Sequence, residues 1–106
     1  MNAFEMDDLL AEHAASGKLY LEFLREPTMS LGVYVIEAEG TDPQSPHNED
    51  EVYYVVSGRG MISVDGEDRT VQPGTTVFVG ADVEHRFHSI TEDLQLLVFF
   101  APPESS

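Results

Sequence analysis

The chain contains no cysteine and no tryptophan, and Lys18 is its single lysine. Without cysteine there is no disulfide framework, no thiolate metal site and no thiol nucleophile, so a bound metal must be held by His, Asp, Glu or neutral oxygen ligands. Basic residues are scarce: five stand against twenty acidic ones, a net charge of −15. Such a surface is a poor partner for nucleic acid or anionic membrane. The acids are spread along the whole chain, which favours a solvated surface over a dedicated cation site. Long apolar runs are also missing. No stretch approaches the roughly 18 to 20 residues that span a bilayer, and the N-terminus lacks the basic start and apolar core of a signal peptide. The expectation is a soluble, cytoplasmic protein.

What is present fits one domain, residues 1–106, since 106 residues leave no room for a second core. Phe4, Leu9, Leu10 and Ala14 recur at near-helical spacing, with Asp7 and Asp8 early and Gly17 at the end, so residues 5–16 read as a short amphipathic helix, a lid or a brace. From Lys18 the period changes to two and turn signals recur every eight to twelve residues, the pattern of an all-β sandwich or barrel over about 19–100. Strands are expected at 19–25, 31–37, 52–57, 61–64, 69–71, 76–79, 85–89 and 94–100, with a tight hairpin at Asp65-Gly66. Gly58 and Gly74 are expected in tight turns, and residues 101–106 form a frayed tail. Alternation places Glu51, Tyr53 and Val55 on one face of a strand and Val52, Tyr54 and Val56 on the other. Both faces are apolar, as in the run Leu96 to Phe100, so the outer face needs cover from the N-terminal segment or from a second copy. A homodimer is the expectation.

The candidate site sits where loops enter strands. Pro43-Gln44-Ser45-Pro46-His47-Asn48-Glu49-Asp50-Glu51 runs into the apolar strand Val52 to Val56, and Asp82-Val83-Glu84-His85 precedes a second strand. Two imidazoles and a carboxylate, His47, His85 and Glu51, with other positions open, suit a divalent first-row metal that must also bind a ligand. Tyr53, Phe78 and Phe87 are candidate apolar walls for a small molecule, although each has an ordinary role in core packing. His13 and His88 read as surface histidines, and the acids Glu49 and Asp50 as a solvated entrance. A phosphorylated substrate would need basic groups, and near the motifs only Arg59 and Arg86 are available.

These residues resemble the cupins. The first motif of that family, G-x5-H-x-H-x3,4-E-x6-G, is matched by His47, Glu51 and Gly58, with Ser45 in the place of the first histidine and Gly40 as a displaced opening glycine. The second, G-x5-P-x-G-x2-H-x3-N, is matched by Gly74 and His85, with Gly80, Asp82 and Ser89 in place of proline, glycine and asparagine. The resemblance implies a double-stranded β-helix, or jelly-roll, barrel and one divalent transition metal (Fe, Mn, Zn or Ni) held by His47, Glu51 and His85. Gln44, with a neutral amide oxygen just upstream, is the expected substitute for the absent histidine. The functions it implies are a dioxygenase- or isomerase-like enzyme acting on a small organic molecule in the barrel, or a binding or sensing module that performs no chemistry.

Overall fold

A computed structural model describes residues 1–43 and 46–105. The order of elements is α1 (Met6–Ser16), β1 (Tyr20–Glu26), β2 (Met29–Ile36), β3 (Asp50–Val64), β4 (Glu67–Val71), β5 (Thr76–Val79) and β6 (His85–Ala101). All pairings are antiparallel, in the order β1-β2-β6-β3-β4, with β5 against the first half of β3. The fold is mostly antiparallel β with a short N-terminal helix, as expected.

Two long strands organise it. β3 and β6 pair along nearly their whole length, from Asp50↔Ala101 to Val64↔His85. Sequence alone divides each into two strands, leaving 58–60 and 90–93 as breaks. In the structure they are irregularities within continuous strands, with register shifts between Val55 and Ser57, Ser57 and Arg59, and Arg59 and Met61. Gly58 therefore lies in a bent strand and not in a turn. Its φ is +97°, and a Cβ there would stand 2.1 Å from the Asp93 carbonyl oxygen. The two strands can bend past each other only because that position carries no side chain. Asp65-Gly66 makes the expected hairpin, both residues having positive φ as a type I′ turn requires.

Directly paired residues share a face of the sheet, so the register gives the core in rungs. Tyr20, Tyr34, Leu96 and Val55 form one; Gly32, Val98, Tyr53 and Val77 the next; Ser30, Phe100, Glu51 and Val79 the third. The core clusters on this inner face. The outer face carries Val52, Tyr54, Thr76, Leu97 and Phe99, which together line a shallow apolar groove. Helix α1 covers another part of the molecule: Leu9 is its buried residue, and Phe4 before it packs edge-on against Phe23 of β1 at 4.9 Å. It ends at Gly17, in the left-handed conformation usual after a helix, and His13 Nε2 lies 2.7 Å from the Leu19 carbonyl, tying the helix to the start of β1. His13 is thus a local brace as well as a partly exposed residue.

The C-terminal tail is docked. The Glu104 amide donates to Ser30 Oγ at 3.0 Å, its carbonyl accepts from Arg25, and the Ser105 hydroxyl donates to Glu49 Oε2 at 2.7 Å. Glu49, expected in a solvated entrance, is buried. No described helix is long and apolar enough to cross a membrane.

Candidate metal centre and adjoining cavity

Glu51 stands at the start of β3, His85 at the start of β6, and His47 in the loop before β3. That loop is tied to the turn before β6, since Asp82 N–H donates to the His47 carbonyl at 2.7 Å and Ala81 N–H to Asp50 Oδ1 at 3.0 Å. Asp82 has φ +62°, a left-handed conformation that explains why a glycine suits this place in the second motif. The result is a cluster in which one ligand atom from each of His47, Glu51 and His85 lies within 4.8 Å of the others.

The local chemistry fits a cation. His85 Nδ1 lies 2.9 Å from the Val83 carbonyl, which can only accept, so that nitrogen carries a proton. Nε2 then faces Glu51 Oε1 at 2.9 Å. The contact is an ion-pair distance, and neither oxygen of Glu51, only 1% exposed, has an assigned hydrogen-bond donor among the described residues. A neutral imidazole would aim a lone pair at a buried carboxylate, so a proton or a metal ion is needed between them. Burial opposes charge on His85, but Glu51 and the Val83 carbonyl outweigh it and raise the histidine pKa above its ordinary value. On the other side His47 Nδ1 lies 3.4 Å from Glu104 Oε2, delivered by the docked tail. Both imidazoles therefore have Nδ1 beside an oxygen, the usual arrangement behind a metal-binding histidine.

A cavity of about 200 Å³ opens beside the cluster. Tyr53 lines it together with Tyr20, Tyr34, Val98, Phe100 and Glu104. Phe87 is buried behind the wall, edge-on to Tyr53 at 4.9 Å. Phe78 is a correction: it is 64% exposed, because it pairs with Val52 on the outer face, while Val77 and Val79 point inward. Gln44, the expected fourth ligand, and Ser45 lie outside the described residues. His88 is partly exposed and pairs with Asp68 at 2.8 Å, away from the cluster.

Sequence reasoning missed several members of the site, Tyr34, Val98 and Phe100 among them. Asp42 is buried and accepts from Tyr34 Oη and from the Phe87 amide at 2.8 Å, pinning the loop that carries His47. Only the turn signal of Asp42-Pro43 hinted at it. Tyr20 and Glu104 reach the cavity through β1 and the tail, with no local motif to announce them.

The cupin-domain family model matches residues 32–100 of this chain. An uncharacterized protein of Streptomyces coelicolor is 54% identical over 105 residues, covering 99% of this chain and all of its own length. Among solved structures, a protein of Thermus thermophilus superposes with a TM-score of 0.74 at 20% identity, covering 97% of this chain and 99% of that one. KdgF from Halomonas sp. gives 0.71 at 19% identity, covering 78% and 76%. The sequence match across both strand-entry segments, carried by a barrel of the same shape, places this chain in the cupin family.

Proposed function

We propose that this protein is a metal-binding cupin whose His47, Glu51 and His85 hold one divalent transition metal and present it to a small organic molecule in the adjoining cavity. The observation that carries the reading is the buried Glu51 carboxylate without an assigned hydrogen-bond donor among the described residues, faced at 2.9 Å by His85 Nε2. A metal bound there would supply Lewis-acid polarisation of a ligand oxygen. The chain contributes the rest: Tyr53, Val98 and Phe100 exclude water, and Glu104 orients His47 and is the one further carboxylate in the cavity wall among the described residues. Dioxygenase- or isomerase-like chemistry and binding without turnover are separated by oxygen uptake and product analysis with candidate diols and hydroxy acids on metal-loaded protein.

The test of the metal site is elemental analysis after dialysis against a weak chelator. Wild type retains about one metal per chain, His85→Ala and Glu51→Ala retain none, and His88→Ala behaves as wild type. Full occupancy in His85→Ala would refute the site.

The reading includes a homodimer. The apolar outer groove of Tyr54, Leu97 and Phe99, with Phe78 beside Val52, lies where α1 does not reach, and a second copy is the partner it suits.

A further inference from the structure

The cavity wall has a composition that selects for charge. Tyr20, Tyr34, Tyr53 and Phe100 give it four aromatic rings, Glu51 and Glu104 give it two carboxylates, and no lysine or arginine lines it among the described residues. The nearest guanidinium, Arg25, donates to the Glu104 backbone carbonyl and pairs with Glu22 at 2.9 Å, its side chain 54% exposed. It does not reach the two wall carboxylates, whose basic neighbours are the imidazoles of His85 at 2.9 Å and His47 at 3.4 Å.

The rings are held in place by the fold. Tyr20 stands edge-to-face with Tyr34 and Phe100, at 6.5 and 6.0 Å between centroids, and lies over Gly32, where a Cβ would come within 2.2 Å of the ring. Its hydroxyl is buried without a hydrogen-bond partner among the described residues. Burial, followed by the charges of Glu104, Glu22 and Glu51, raises the phenol pKa, so the ring stays neutral and electron-rich. At this end of the cavity the carboxylates have imidazoles beside them but no lysine or arginine in the wall among the described residues.

We propose that the space between Tyr20, Tyr34, Phe100 and Glu104 is a subsite for a small organic cation, an alkylated ammonium head whose polar end points toward His47, Glu51 and His85. Aromatic rings attract such a head through their negative faces and tolerate its methyl groups, and a carboxylate adds direct attraction. With roughly 30 Å³ per water molecule in the liquid, 200 Å³ accommodates about seven non-hydrogen atoms, the size of a simple amino alcohol. Anionic ligands are disfavoured by the same wall. The inference rests on the small-ligand reading above and names the class of ligand.

Choline chloride and its uncharged isostere dimethylbutanol, in which a quaternary carbon replaces the nitrogen, provide the test. Each is titrated into chelator-treated and metal-loaded protein and followed by amide chemical shifts in the NMR spectrum. Choline binds saturably at residues around Tyr20 and Glu104, and the isostere binds at least about tenfold more weakly. Glu104→Gln keeps size and removes charge; it weakens choline about fivefold or more and leaves the isostere unchanged. Tyr20→Phe retains choline binding and Tyr20→Leu loses it, with melting curves confirming that each variant is folded. Equal affinity for the two probes, no saturable choline binding, or indifference to Glu104→Gln overturns the inference. Choline selectivity in a protein that holds no metal leaves the inference standing and removes the metal reading; stoichiometric metal without choline selectivity does the reverse.

Discussion

At the scale of single residues, the three ligand candidates were legible because each stands at a motif position fixed by local spacing. Their environment was not. Asp42 bonds Phe87 across 45 residues and Glu104 reaches His47 from the far end of the chain, and such contacts leave no periodic trace. Phe78 was misplaced because β5 has only four residues, Thr76–Val79, with apolar side chains on both faces; pairing with Val52 settles which way it points. The glycines separate more sharply than spacing alone suggests. At Gly58 both the positive φ and the Asp93 carbonyl at 2.1 Å forbid a side chain, whereas Gly74, φ +93°, has nothing within 4 Å of its would-be Cβ. Gly74→Ala should therefore cost about 1 kcal/mol of stability, the ordinary penalty of a left-handed alanine. Gly58→Ala should cost about 3 kcal/mol or more, because the β3–β6 ladder must shift. Urea unfolding of the two variants measures the difference, and equal losses would show that the strand absorbs a side chain at the bend.

Among the elements, the helix and most strand positions were readable from period, but the continuity of β3 and β6 was not. A glycine pair and a run of polar residues signal a turn equally well whether the chain reverses or merely bends, and only the cross-strand partner distinguishes them. The tail is the opposite case. Pro102-Pro103-Glu104-Ser105 has the composition of a frayed end, yet Ser30, Glu49 and Arg25 hold it, all of them distant in sequence. Deleting residues 102–106 strips Ser30 and Glu49 of these partners and opens the cavity beside His47. The expected loss is about 1 to 2 kcal/mol, part of it recovered as water reaches the freed groups. Thermal unfolding followed by circular dichroism reads it, and an unchanged melting temperature would mean that the tail only rests on the barrel.

For the whole molecule, the outer apolar groove and the charge of −15 pull in different directions, since repulsion opposes the association that the groove invites. The proposed dimer should therefore tighten with added salt. Sedimentation at high micromolar concentration should give a dimer in moderate salt and a monomer for Leu97→Glu; a monomeric wild type would end that proposal. The same acid excess shapes the dependence on pH. In the metal-free protein His85 and Glu104 both have pKa values raised by folding, His85 from 6.5 and Glu104 from 4.5, so the folded state binds their protons more tightly than the unfolded chain does. Their contributions are complete below the unfolded values and fade as pH rises through the folded ones: Glu104 fades above about 4.5 and His85 above about 6.5. A metal held at the proposed site would reverse the slope, because it would take the place of the proton between His85 and Glu51 and bind better as that proton becomes easier to remove. The gain in melting temperature on adding metal should be small at about pH 5 and grow steadily toward about pH 8. His85→Ala should remove the gain at every pH while leaving a fold that still melts cooperatively. A gain that does not change with pH would place the metal on groups other than His85, and the barrel's two strand-entry loops would then have some other use.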